Sequence, residues 1–285
     1  MNEQRAMNDQ RERVAQSFWA AAVAFCRAAH HNAGDRVIAT CKEKAVSGSL
    51  EGRVAVVVGS SSGMGRATAL TFAEQGAKVV LASRNEAALT ELAAEIGPNA
   101  LVCPTDATDV HAVNRMVAAT KDAFGRLDIL VYSTGTNIPD RSVERLTSDT
   151  WDMMVATNLN GAFYCTSAVV PIMRDQGDGV IIYISSACVQ FPDTSGVSYQ
   201  ATKHGMKGLS YGTLKEEKGN GIRTSVIYPG LCDTPLVLQR PVKTPDDVLA
   251  QALQPQDVAD ACLYVATLPA RACVPELVLL PAGLA

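Results

Sequence analysis

Val54-Ala55-Val56-Val57-Val58, then Gly59-Ser60-Ser61-Ser62-Gly63-Met64-Gly65, then Arg66 onward to Gln75 and Gly76, is the stretch whose reading decides the architecture. The apolar run reads as a buried strand, the glycines as a tight turn and the remainder as a helix. In that order, glycines let the backbone approach a pyrophosphate, whose charge meets free N–H groups and the positive end of the helix dipole. Loops also use glycine simply to reach positive φ, so it is the placement between strand and helix that points to a dinucleotide.

Outward from this turn, apolar β-rich runs alternate with segments of helical period, the pattern of βαβ units and a parallel sheet. Further strands are expected at 78–82, 100–103, 127–132, 180–185, 221–227 and 276–280. Together with the first they predict an α/β fold, a doubly wound seven-stranded parallel sheet with helices on both faces. Asn85 can cap a helix whose Leu89, Leu92 and Ile96 share one face before Gly97 and Pro98 stop it. Asp109 caps the next, with Val110, Val113, Met116 and Val117 expected to turn inward.

At 285 residues the chain has room for one large core and an appendage. Residues 1–50 hold seven Lys/Arg and five Asp/Glu against 18 and 24 in the remainder, so a boundary is expected near 47–52. The expected division is an N-terminal extension over 1–50, helical or poorly ordered, and a catalytic domain over 51–285. A net charge of −4 offers no basic field for phosphate backbones, which argues against nucleic acid as a partner. Eight scattered cysteines without a C-x-x-C pair, and no His at ligand spacing, predict neither a metal site nor a disulfide framework. Reduced thiols suit the cytoplasm. The apolar run 18–26 is about half a membrane span, so none is expected, and Glu3, Asp9 and Glu12 ahead of it argue against a cleaved leader.

After the second strand the chain reads Ala82-Ser83-Arg84-Asn85, with no carboxylate where one would hold the ribose 2′-hydroxyl of NAD. Arg84 can grip a 2′-phosphate through paired hydrogen bonds, so NADP(H) is expected in preference to NAD(H); the bland alternative is a solvated residue at a strand end. Tyr199-Gln200-Ala201-Thr202-Lys203 sets a phenol and an ammonium one helical turn apart. Carbonyl reduction leaves an alkoxide that needs a proton, and an ammonium is expected to lower the pKa of a phenol that otherwise gives one reluctantly. Thirteen residues upstream, Ser186 ends a strand, where its hydroxyl can hold the substrate oxygen; alternation sends Ser185 to the other face.

The spacing of Gly59, Gly63 and Gly65, with the Tyr-x-x-x-Lys pair and the serine ahead of it, resembles the classical short-chain dehydrogenase/reductase family over about residues 50–280. The resemblance implies a Rossmann fold, hydride transfer between nicotinamide and a carbonyl or secondary alcohol, and an Asn-Ser-Tyr-Lys tetrad. Its asparagine is Asn158, expected on a helix facing the sheet and positioning a water that links Lys203 to solvent. Implied cofactor contacts are Gly59, Ser61, Ser62, Gly63, Met64 and Gly65 in the turn, Ser83 and Arg84 after the second strand, and Asp106 and Ala107 after the third. Ser133 and Gly135, the pair Tyr199 and Lys203, and Pro229, Gly230, Cys232 and Thr234 on the nicotinamide side complete them. Val58 replaces the usual Thr, and Tyr132-Ser133-Thr134-Gly135 replaces the usual Asn-Asn-Ala-Gly, so Tyr132 is expected to pack where an Asn would hydrogen-bond.

Substrate choice is assigned to the segment 235–253, read as a lid, in which Arg240 and Lys243 either meet an anion or solvate the loop. Acyl-carrier-linked 3-oxo esters, sugars, steroids and small ketones stay open. Cys188 is expected to line the pocket, and Trp19 and Trp151 to pack. The resemblance also implies a homodimer or homotetramer through the helices carrying Asn158 and Tyr199. A non-catalytic dinucleotide sensor or scaffold is the other class, and the intact tetrad counts against it.

Overall fold

The computed structural model describes residues 48–284; the readings made for residues 1–47, including Trp19 and the apolar run 18–26, lie outside the described residues. In chain order the regular elements are β1 (Val54–Val58), α1 (Gly63–Glu74), β2 (Lys78–Ser83), α2 (Glu86–Ile96), β3 (Ala100–Pro104) and α3 (Val110–Phe124). Then come β4 (Ile129–Tyr132), α4 (Ser148–Val155), α5 (Gly161–Gln176), β5 (Gly179–Ile184) and α6 (Val197–Glu217). The last are β6 (Ile222–Pro229), α7 (Asp246–Leu249), α8 (Pro255–Ala266) and β7 (Glu276–Leu279).

The seven strands form one parallel sheet in the order β3-β2-β1-β4-β5-β6-β7. Strand order reverses between β1 and β4, so the loops leaving their carboxyl ends part in opposite directions and open a crevice there. Strand alternation divides the apolar side chains between two layers. Ala55 and Val57 pack with Phe72 of α1 and Val258 of α8, while Val56 and Val58 pack with Met116 of α3, Val169 of α5 and Met206 of α6. Helix α1 has no side-chain cap and no acidic residue in its first turn. Such features are each worth about 1 kcal/mol, whereas burying a side chain like Phe72 contributes about 1.5–3 kcal/mol. Packing therefore holds α1 while its first N–H groups stay free for an anion.

The amino ends of the strands are tied by charge. Asp128, fully buried, accepts from the Val54 N–H at 2.8 Å and from Arg126 Nε and Nη2 at 2.8 and 2.7 Å. Arg53 approaches it at 3.5 Å and also reaches Asp178 at 2.7 Å, which Arg223 of β6 meets at 3.4 Å. Only Asp128 is fully buried, and solvent reaches Arg53, Arg126 and Asp178, so the knot's strength rests on keeping that one carboxylate partnered where β1, β4, β5 and β6 begin.

Three expectations are corrected. The fourth strand starts at Ile129 rather than at residue 127, because Leu127 exchanges its backbone bonds with the Gln176 amide (3.0 and 2.8 Å) instead of the ladder. Val110, first residue of α3, is 40% exposed; the inward stripe begins at Ala112 and Val113. Trp151 is also 40% exposed, and Met154 is the residue that α4 buries.

Candidate active site

A cavity of about 370 Å³ lies over the carboxyl ends of β1, β2 and β4. The glycine turn forms its floor because only glycine fits there. Gly59 sits at φ +92°, and a Cβ would stand 2.8 Å from the Thr134 nitrogen. Gly63 sits at φ +52° with Thr234 at 3.2 Å, and a Cβ on Gly65 would strike the Gly59 carbonyl. The turn is anchored by the Gly59 N–H donating to Ala82 O at 2.7 Å. Ser61, Ser62 and Met64 line the cavity beside the uncapped start of α1.

At the β2 end Ser83 and Arg84 line the same cavity, facing Asp106 and Ala107 at the β3 end and Ser133 and Gly135 beyond β4. Asp106 is set by its own turn: Oδ1 accepts from the Thr108 N–H (2.9 Å) and hydroxyl (2.8 Å). Partial burial raises its carboxyl, but those two bonds and the nearby Arg84 charge outweigh it and hold the pKa below the usual range. Free N–H groups, glycine clearance and an unpaired guanidinium make this donor set fit a dinucleotide phosphate chain.

Tyr199, on the first turn of α6, belongs to this cavity and to a second one of about 590 Å³. Ser186 lines the second. Its Oγ accepts from the Cys188 N–H at 3.3 Å, which leaves the hydroxyl proton for another acceptor. Ser185 lines both cavities as well, contrary to the expectation that alternation sends it away, but its hydroxyl is spent donating to Lys203 O at 3.0 Å. Lys203, one turn below Tyr199 and 4% exposed, donates from Nζ to Ile184 O at 3.0 Å and stands 5.6 Å from the Tyr199 ring centroid. Gly135 makes room for it, since a Cβ there would come within 3.2 Å of Nζ.

The expected lowering of the phenol pKa by the ammonium is not the dominant effect. Burial pushes the Tyr199 phenol up, the Cys188 thiol adds to this, and Ser186 and Arg141 oppose it. Burial likewise brings the Lys203 ammonium down to about 8. Each group is pressed toward its neutral form because neither is solvated.

Asn158 sits in a π-helical turn, Ala156–Asn160, between α4 and α5 rather than in a regular helix. Its Oδ1 accepts from the Thr136 N–H at 2.8 Å, and Nδ2 donates to Thr136 O at 3.0 Å and Thr202 Oγ1 at 3.2 Å. It thereby ties the segment after β4 to α6. Tyr132 hydrogen-bonds after all: its hydroxyl donates to Thr157 O at 2.6 Å, inside the same π turn. A Cβ on Gly161 would collide with that hydroxyl.

Of the expected cofactor residues, Gly65 lines neither cavity and acts through the turn, while Pro229, Gly230 and Cys232 line the second cavity and Thr234 both. Asn158 lines neither. Cys188 lines the second cavity, its thiol pushed up chiefly by burial. Arg240 lines the second cavity too, whereas Lys243 is 80% exposed and pairs with Asp246 at 2.9 Å. Sequence reading missed Asn137, Arg141 and Asp193, which also line it. Asn137 donates to Ser195 O at 2.9 Å, and Gly196, at φ +96°, lies so close to Arg141 that a Cβ would approach its Cβ to 2.8 Å. No local motif marks these residues; the segments meet only in the folded chain.

Residues 53–243 match the short chain dehydrogenase family profile. An uncharacterized oxidoreductase of Staphylococcus haemolyticus is 36% identical over 237 residues, spanning 81% of this chain and 98% of the relative. One from Staphylococcus aureus is 34% identical over 233 residues, with the same coverage. Among solved structures, 3-ketoacyl-(acyl-carrier-protein) reductase from Brucella melitensis, complexed with NADH, superimposes with a TM-score of 0.75 at 28% identity, covering 80% of this chain and 97% of that one. Serine dehydrogenase complexed with NADP+ gives 0.73 at 30% identity, covering 79% and 94%.

Proposed function

Because the chain belongs to the short-chain dehydrogenase/reductase family of oxidoreductases, with solved relatives holding NADH or NADP+, we propose that it is an NADP(H)-dependent enzyme interconverting a ketone and a secondary alcohol. The observation that carries the reading is Tyr199 standing in the shared wall of two cavities, one floored by the glycine turn and the other lined by Ser186.

When bound, the dinucleotide supplies or accepts the hydride. The glycine turn and the start of α1 hold its phosphates, and Arg84 the 2′-phosphate. Ser186 donates its free hydroxyl proton to the substrate oxygen and fixes it beside Tyr199, whose Oη gives a proton in reduction and takes one in oxidation. Lys203, with Nζ protons beyond the one spent on Ile184 O, holds the nicotinamide ribose and offers the phenolate a positive neighbour. Asn158 supports this pair through its bonds to Thr136 and Thr202, and the family resemblance implies that it also orders a water toward Lys203.

The catalytic unit is residues 51–285, in the cytoplasm, assembled as a homodimer or homotetramer through α5 and α6. Phe163 and Tyr211, 53% and 41% exposed on those helices, support the choice of face. Tyr199→Phe is expected to reduce turnover of carbonyl substrates by about 1,000-fold or more while NADPH binding, followed by its fluorescence, changes little. Near-normal turnover in that variant would refute the assignment.

A further inference from the structure

Charge in the second cavity is unbalanced in a way the proton-transfer groups do not need. Of the eleven arginines among the described residues, seven pair with a carboxylate. Of the four that do not, Arg84 lines the dinucleotide cavity, Arg271 is exposed, and Arg141 and Arg240 both line the cavity that holds Ser186 and Tyr199. Arg141 is built in rather than free to wave. Gly196 packs on its stem, the Asn137–Ser195 bond closes the same loop, and its Nε is buried with no hydrogen-bond partner.

Arg240 projects from the end of the short helical segment Pro235–Gln239, and its Nη1 donates only to Thr244 Oγ1, at 3.1 Å. Asp193 also lines the cavity, but its Oδ1 accepts from the Ser195 N–H at 2.8 Å, and neither arginine pairs with it within 4.0 Å. Burial first and the Arg240 charge second press the Arg141 guanidinium below its usual range, outweighing the opposing Asp193 charge. Asp193 offsets only part of this, so holding two guanidiniums together with no carboxylate paired to either costs free energy that an incoming anion recovers.

We infer that the second cavity is a site for an organic anion: the substrate is an oxo or hydroxy carboxylate whose oxygen lies on Ser186 and Tyr199 while its carboxylate lies between Arg141 and Arg240. This rests on the oxidoreductase reading for the position of the reacting oxygen, and on the arginines alone for the charge. Guanidinium is the apt group, since its planar fork donates to both oxygens of a carboxylate.

The test uses straight-chain oxo acids of four to ten carbons and their methyl esters, measured in two ways on the full chain. Reduction with NADPH gives kcat/KM for each acid and ester. Calorimetry in the presence of NADP+, which cannot reduce them, gives binding without turnover. At least one acid is expected to exceed its ester about 10-fold or more in both measurements. That preference is expected to fall about 10- to 100-fold in Arg141→Gln and in Arg240→Gln, with the loss mainly in KM. Arg240 is exposed, so its variant folds even if the Arg141 change disturbs the loop at Gly196. Arg141→Lys, which keeps charge and stem but not the fork, is expected to restore part of the preference.

Acids that bind no better than their esters in the NADP+ complex overturn the inference whether or not turnover is seen, as does a preference unchanged in both arginine variants. Acids that bind through Arg141 and Arg240 but are never reduced sink the oxidoreductase reading instead and leave the anion site standing. An acid preference carried only by phosphate esters of hydroxy ketones, added as a third arm, also overturns the carboxylate assignment.

Discussion

Burial sets the chemistry of individual residues here more than pairing does. Lys203 shows it best: its pKa falls from the ordinary 10.5 to about 8 in the folded chain. Between those values the unfolded chain binds more protons than the folded one, so this group makes stability rise with pH from about 8 to about 10.5. Below that window the buried ammonium costs up to about 3 kcal/mol. Lys203→Met should therefore gain stability over the parent at pH 7 and lose the gain near pH 10.5, as urea unfolding at the two pH values would read; equal gaps at both would contradict it. Arg84 is the opposite case, an exposed charge waiting for a partner. Arg84→Asp should weaken NADPH about 10- to 100-fold in fluorescence titration and leave NADH no weaker, and tighter NADH than NADPH binding in the parent would end the cofactor assignment. Both residues were legible in the sequence because a strand end and a helical spacing of four are local facts. Arg141 was not, because its place beside Tyr199 depends on Gly196 letting a distant loop close in.

Among elements, the π turn between α4 and α5 is where the chain departs most from its sequence reading. A helix was expected around Asn158, but the five-residue turn Ala156–Asn160 carries it, and Tyr132 at the end of β4 reaches across to hold the Thr157 carbonyl. The unusual tyrosine was visible from the first reading, while its partner 25 residues away was not. Tyr132→Phe leaves that carbonyl unpaired and should cost about 1–3 kcal/mol. Gly161→Ala should cost more, since the added carbon meets both the Tyr132 hydroxyl and the Ala107 carbonyl at 3.0 Å. With both changes the hydroxyl collision is gone, so the double variant should be less destabilised than the two losses added. Strict additivity in denaturant melts would show that the hydroxyl and the glycine do not touch. Strand positions, by contrast, were read to within two residues nearly everywhere, because buried parallel strands announce themselves as apolar runs. The fourth began late only because Gln176 competes for Leu127.

At the scale of the whole molecule, the relatives from two Staphylococcus species are spanned almost end to end by 81% of this chain. Residues 48–285 alone should therefore fold, keep carbonyl reduction within about threefold of the full chain, and sediment as a dimer or tetramer. A monomeric or inactive fragment would assign residues 1–47 to assembly or catalysis. The doubly wound seven-stranded parallel sheet followed from alternation of strands and helices, whereas the strand order and its reversal between β1 and β4 are seen only in the folded chain. The second cavity did not, since its walls come from segments with no period to read.

The ionic knot about Asp128 ties the amino ends of the strands, away from both cavities, so what fastens the sheet and what lines the cavities occupy opposite shores. If Arg141 and Arg240 choose the substrate as inferred above, the segments around them can be exchanged without touching that knot, provided the Gly196 loop packed on Arg141 changes with them. For an engineer, those two loops are cartridges and the rest is chassis.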